Sequence, residues 1–137
     1  MKNLLLIMIA ITLIASCKKD VETVPVIEPF DTTNQTLVAQ GSFVSNAHTT
    51  HGNVKLYSKA NTKTLTFENF ITDNGPDLRV YLSKAADNVD YKELGTLKST
   101  NGNFNYNVDS NINTTEYKYV LIWCEDFSVL FGNALLQ

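Results

Sequence analysis

Residues 53–70, NVKLYSKANTKTLTFENF, contain two alternating segments joined by a short polar turn. In the first segment, Val54 and Leu56 lie on one side of an extended chain. In the second segment, Leu65 and Phe67 share one side in the same way. Side chains that alternate with period two are typical of strands with one buried face. The stretch therefore predicts a β-hairpin whose two strands contribute to the same core.

The same period recurs along the rest of the chain after about residue 37. Short alternating segments occur at 41–44, 78–82, 94–97, 104–108, 117–124 and 128–136, with polar turns between them. No segment keeps helical spacing over a dozen residues. Closely spaced strands predict a single all-β domain over residues 37–137, either a β-sandwich or a closed barrel. The Asn101–Gly102 pair predicts a tight hairpin turn between two of these strands.

The N-terminal segment has the three parts of a removable export signal. Lys2 gives a positive start, an apolar run extends from Leu4 to Ile14, and small residues precede Cys17. The run is shorter than the roughly 20 apolar residues of a bilayer-spanning helix. Residues 1–16 are therefore predicted to be a bacterial lipoprotein signal peptide, with Cys17 as the residue that receives diacylglycerol and fatty acid such as palmitate. The alternative is an uncleaved N-terminal anchor.

Residues 17–36 are predicted to be the lipidated cysteine and a flexible tether. The segment is polar, contains Pro25 and Pro29, and shows no sustained period, and proline favours extended chain. Its few apolar side chains leave open that part of it docks on the domain.

The charge of the chain restricts its partners. The formal net charge is −3, and loss of residues 1–16 removes only Lys2, which leaves −4. The charges are scattered without a basic stripe, so nucleic acid is excluded as a partner. Lipid on Cys17 predicts attachment to a membrane of the bacterial cell envelope. Lys18 in place of aspartate favours the outer membrane, on its periplasmic or surface face, by analogy with sorting in enteric bacteria.

Cys124 is the only cysteine besides Cys17. Lipidation of Cys17 would leave it unpaired in an exported domain, where thiols usually form disulfides. On a strand, Cys124 shares a face with Val120 and Ile122, whereas Trp123 lies on the opposite face. One interpretation is a small buried core residue, as unpaired cysteines usually are.

The other interpretation of Cys124 is a redox thiol or a ligand of haem iron. Glu125 and Asp126 follow it directly, and nearby negative charge disfavours the thiolate needed for nucleophilic attack. Coordination to a cation avoids this objection, because the cation itself stabilises the thiolate. No acid–base pair is evident, so an enzyme is not expected.

Three further polar residues are candidates for a site. His48 and His51 lie in one loop, but two histidines do not make a zinc site, which needs three or four protein ligands. Asp77 follows the turn residues 74–76 and shares a strand face with Arg79, the only arginine. Asp77 is either a satisfied carboxylate in a rigid corner or a ligand at a rim site. No metal site is predicted.

Several joined motifs resemble the DM-thirteen, or electron-transfer DM, domain family over roughly residues 38–136. The matching pieces are Gly41-Ser42-Phe43, His48, Gly52, residues 65–70, residues 74–82, Tyr91, Leu94-Gly95, Gly102, Tyr106, Ile122-Trp123-Cys124, Phe127-Ser128-Val129, Phe131-Gly132, Ala134 and Leu136. The resemblance implies a single antiparallel β-sandwich related to DOMON and jelly-roll domains. It also implies that Cys124 is the family's characteristic cysteine and His48 its loop histidine.

Two functions follow from these patterns. The first is an envelope lipoprotein with a non-catalytic electron-transfer or cofactor-binding domain, in which Cys124, His48 and Trp123 form the site. The cofactor is haem, or there is none and the thiol acts alone, and the partner is another envelope redox protein. The alternative is a recognition or adhesion module that binds a polysaccharide or another envelope protein through its loops and exposed aromatic residues.

Overall fold

The computed structural model describes residues 24–137, and the predicted signal peptide and Cys17 lie outside the described residues. No helix forms between residues 24 and 137. The nine strands are β1 Val26–Ile27, β2 Thr36–Ser45, β3 Thr50–Lys59, β4 Thr62–Thr72, β5 Leu78–Ser83, β6 Tyr91–Thr96, β7 Asn101–Val108, β8 Tyr119–Cys124 and β9 Val129–Leu135. The predictions of an all-β fold and of a β3–β4 hairpin are confirmed.

The strands form one curled sheet in the order β1-β7-β4-β3-β2-β9-β8-β5-β6. The fold is sandwich-like, but two separate sheets are not confirmed: β2 pairs with β3 along one part of its length and with β9 along the other, so one sheet bends into a half-barrel. The expectation of a wholly antiparallel arrangement is wrong, because β1 pairs with β7 in parallel. Alternation along a strand reports its buried face but not its neighbours, which is why the order was not predictable.

The concave face of the sheet carries the core. Its buried members include the four residues that alternate along β3 and β4, namely Val54, Leu56, Leu65 and Phe67. The rings of Phe43, Phe67, Phe70 and Phe104 contact one another there, with centroids 4.9–5.6 Å apart. The alternating apolar residues of the hairpin are thus the ones that face the core, as their period of two predicts.

Antiparallel pairing gathers alternate loops at each end of the sheet. Residues 46–49, 73–77, 97–100 and 125–128 connect strands at one end, and these four loops are called the upper rim. The loops at 60–61, 84–90 and 109–118 form the lower end. At the C-terminus, Gln137 exchanges two backbone hydrogen bonds of 3.0 Å with Gln40 in the lower half of the sheet.

Gly102 does not form the predicted hairpin turn. Asn101 and Gly102 begin β7, which pairs with β4 and β1 instead of β6. Gly102 has a φ of +131°, and a Cβ there would lie 1.9 Å from the carbonyl oxygen of Val26. The glycine is needed because the backbone of β1 approaches so closely. A glycine in the sequence can mark either a turn or such a close approach, and here it marks the close approach.

The hydroxyl of Tyr106 bridges the gap between the two arms of the curled sheet. It donates to the carbonyl oxygen of Thr96 at the end of β6 and accepts from the amide of Lys98, both at 2.9 Å. Burial raises the pKa of Tyr106 to about 12. The phenol is therefore held in its neutral form, which the bond to Thr96 requires because the phenol is the donor there.

We expect Tyr106→Phe to lower the free energy of unfolding by about 1 kcal/mol, because two partly buried backbone groups lose their partner. Tyr81→Phe is the matched control: the Tyr81 hydroxyl is buried and has no partner among residues 24–137, so its removal should leave stability unchanged or raise it. Urea unfolding of both variants measures this. Equal losses would contradict the bridging role of Tyr106.

The difference between the native chain and Tyr106→Phe should also depend on pH. The ordinary tyrosine pKa is 10.0 and that of folded Tyr106 is about 12. Below pH 10 the contribution is fully present, and it is lost as pH rises from 10 towards 12 because the unfolded state releases its proton first. Unfolding curves at several pH values in this range would show the two chains converging.

Candidate functional site

Cys124 is the last residue of β8 and lies fully buried in the core. Its backbone is paired with Val129 on β9 and with Leu78 on β5. Val120 and Ile122 belong to the same core cluster, which agrees with the predicted strand face. The thiol forms no disulfide with any of the described residues. Thiol–disulfide exchange needs access to the sulfur, and this packing denies that access.

Trp123 lies on the opposite, convex face of the sheet. It packs with Tyr81 and Leu121 in a second buried cluster. The ring of Tyr81 in turn stacks on Tyr91, with centroids 4.2 Å apart. Trp123 is therefore next to Cys124 in the chain, but the sheet backbone separates the two side chains.

His48 lies in the upper-rim loop between β2 and β3, against two partners. Its ring stacks on Phe131 with centroids 3.9 Å apart. Its Nδ1 is 3.2 Å from a carboxylate oxygen of Asp73, which also accepts from the amide of Thr49 at 3.2 Å. A carboxylate on Nδ1 orients the ring and leaves Nε2 available. Phe131 belongs to the core cluster that also contains Cys124.

A pair of buried threonines holds the loop of His48 in place. The hydroxyls of Thr50 and Thr72 are 3.0 Å apart, and Thr72 also donates to the carbonyl oxygen of Thr49 at 3.1 Å. A Cβ on Gly132 would lie 2.4 Å from the Cβ of Thr50. The glycine therefore makes the room in which Thr50 is buried.

Asp77 is a satisfied carboxylate, as one of the two interpretations expected. Arg79 donates to both of its oxygens, with 3.0 Å between Nη2 and Oδ2, and reaches Glu93 at 2.9 Å. The Arg79 guanidinium lowers the pKa of Asp77. The backbone oxygen of Asp77 accepts from the amide of Glu125 at 2.9 Å. This bond joins the rim loop 73–77 to the rim loop 125–128, which begins directly after Cys124.

Asp77 lines a surface pocket at the upper rim, whereas Cys124, His48 and Trp123 lie outside the pockets. A pocket of about 330 Å³ lies at the upper rim between residues 74–78 and 96–100. A larger one of about 500 Å³ lies over β2, β3 and β4 and is lined by polar side chains. Neither lining includes Cys124, His48 or Trp123. Cysteine ligation of haem needs a sulfur that faces a slot for the porphyrin, so the packed core around Cys124 does not fit haem.

Residues 24–137 contain neither a metal-binding cluster nor a membrane-spanning helix. Within this range, no three His, Cys, Asp or Glu side chains converge closely enough to hold a metal ion. The same residues contain no helix long and apolar enough to cross a membrane. His51 lies exposed on β3, opposite Ile71.

Asp73, the partner of His48, was not among the candidate residues predicted from the sequence. The hairpin register contained the signal: β3 and β4 are antiparallel, and Thr50 pairs with Thr72. Continuing that register by one residue puts Asp73 opposite Thr49, next to His48.

We expect Cys124 to react with a charged thiol reagent only when the protein unfolds, because its side chain is fully buried. Cys124→Ala should cost about 1 kcal/mol through a small cavity, and Cys124→Ser about 1–3 kcal/mol because a hydroxyl is left unpaired. Reagent kinetics and urea unfolding measure both. The Cys124→Ala chain is the control for any reaction elsewhere, and rapid labelling of the folded native chain would contradict this packing.

One of the three comparisons with known proteins identifies a family. No curated protein and no solved structure matches the chain. The family model described as Electron transfer DM13 matches residues 42–136, which include the upper rim, Cys124 and the convex aromatic cluster. The match covers well over half of the 137 residues. The chain belongs to the Electron transfer DM13 family.

Proposed function

We propose that this protein is a lipoprotein of the bacterial cell envelope, anchored through Cys17, whose domain is a non-catalytic electron-transfer module. The observation that carries the proposal is the family match over residues 42–136. Cys124 is the only cysteine within the matched residues, and we assign it as the redox group. The expected partner is another redox protein of the envelope, and the proposed location is the outer membrane.

Burial of Cys124 is compatible with this role. Electrons pass through packed side chains, whereas disulfide exchange needs contact between sulfur atoms. Trp123 and His48 would lie near the redox group. Trp123 follows it in the chain and lies on the convex face, and His48 stacks on Phe131 at the rim. Since haem does not fit the core around Cys124, the proposal favours a module without haem.

The test is a redox titration of the full chain purified from membranes, followed by absorption and by protein-film voltammetry. We expect a reversible transition in the native protein that Cys124→Ala abolishes and that Val89→Ser, on the exposed lower end, retains. Flotation with the membranes tests Cys17 separately, with Cys17→Ser as the control. Identical titrations of the native and Cys124→Ala chains would overturn the electron-transfer role, and a haem Soret band would overturn the choice of a haem-free module.

A recognition role is the second candidate, and one observation favours it. Phe127 is 70% exposed at the tip of the turn between β8 and β9. Exposed Glu125 and Asp126 precede it, and Ser128, with a φ of +51°, follows it in the turn. A turn that presents one exposed aromatic ring directly after two carboxylates suits a basic protein surface with an apolar pocket.

This second role predicts that Phe127→Ser abolishes capture of a partner from envelope extracts, whereas Cys124→Ala retains it. Val89 is 85% exposed at the lower end, so Val89→Ser is the matched control. Loss of capture on Cys124→Ala alone would instead support the electron-transfer module.

A further inference from the structure

The direction of β1 decides where the N-terminal segment leaves the domain. β1 runs parallel to β7, with Val26 opposite Gly102 and Ile27 opposite Asn103. β7 begins at the upper rim and runs towards the lower end. Residues before Val26 therefore leave the domain at the upper rim, the end that carries the His48 loop, the Asp77 turn and the turn after Cys124.

Side-chain contacts hold this segment on the sheet. The Glu28 carboxylate accepts from Lys98 Nζ at 2.9 and 3.0 Å and from the Asn105 amide at 2.9 Å. Lys98 lowers the pKa of Glu28. Further along, the ring of Phe30 lies 5.2 Å from that of Tyr57 on β3. The predicted tether thus contains residues that pack on the domain.

The length of chain before β1 limits how far the rim can move from an anchor. Nine residue steps separate Cys17 from Val26, and they span at most about 32 Å even when fully extended. The eleven residues of β4 extend about 35 Å between the two ends of the sheet. The distance between the two ends of the sheet is therefore about equal to the greatest length of the tether.

Without β1, the point of attachment would move to the other end of the sheet. The first strand residue would then be Thr36, which pairs with Ser58 near the lower end. Nineteen residue steps separate Cys17 from Thr36, and they reach at most about 68 Å. Docking of β1 thus changes both the length of the tether and the end of the domain to which it is fixed.

We propose that docked β1 turns the upper rim towards the phospholipid membrane that holds the lipid on Cys17. The inference rests on the anchor in the proposed function and goes beyond it, because it specifies which surface faces the membrane. A redox partner embedded in that membrane would meet the rim loops. A partner free in the surrounding compartment would meet the lower end.

The test compares two labelling positions on the full lipidated chain in phosphatidylethanolamine–phosphatidylcholine vesicles that carry a headgroup quencher. Phe127→Cys places a fluorophore on the upper rim, and Asn61→Cys places one on the exposed lower turn. Labelling of the unsubstituted chain corrects for any reaction of Cys124. We expect quenching at position 127 to exceed that at 61 by at least about twofold, since the ends differ by about a strand length.

Two variants release the rim from the anchor. Gly102→Ala would put a Cβ 1.9 Å from the Val26 oxygen and displace β1. Gly95→Ala is the matched control, because Gly95 has a similar φ of +130° but no atom within 4 Å of a built Cβ. If Gly102→Ala proves unstable, a Gly/Ser insertion of about 20 residues between residues 23 and 24 lengthens the tether without touching the sheet.

We expect Gly102→Ala and the insertion to reduce the difference between the two positions, and Gly95→Ala to keep it. Equal quenching at both positions in chains that float fully with the vesicles would overturn the orientation alone. Failure to float would remove the Cys17 anchor and this inference with it, and it would leave the redox titration of Cys124 as the separate test of the electron-transfer role.

Discussion

Closure of a single curled sheet is the constraint on which the rest of the structure depends. One sheet has no second layer to cover its apolar face, so the core exists only where the two arms bend towards each other. The phenylalanines of the concave face fill this space. The Tyr106 hydroxyl spans the remaining gap with one donated and one accepted hydrogen bond. A side chain therefore joins β6 and β7 where no strand pairing does.

The sequence predicted the faces of the strands better than their neighbours. The alternation of Val54 and Leu56, and the separation of Cys124 from Trp123, follow from a period of two, which any extended segment must show. The partners of each strand depend on contacts far apart in sequence. Gly102 illustrates the difficulty. A glycine permits a positive φ, but only the fold shows that this position requires glycine because the backbone of β1 passes close to it.

The candidate site shows the same division between local and distant information. The burial of Cys124 could be anticipated from the apolar residues around it, whereas the contact between His48 and Asp73 depends on a register that crosses a whole hairpin. The ring of Phe131 enters the core beside a β-bulge, where Ile122 pairs with Gly132 and Trp123 with Leu130. At this bulge β9 has one residue more than β8, which changes the side chains that face inward. The alternation of apolar residues along the sequence does not locate the bulge.

The hydrogen-bonded end of the chain at Gln137 has a consequence for molecular architecture. The polypeptide enters the sheet at one end and leaves it in the opposite half, beside Gln40. A second module fused after Gln137 would therefore begin in the lower half of the sheet, whereas the chain before β1 meets the sheet at the upper rim.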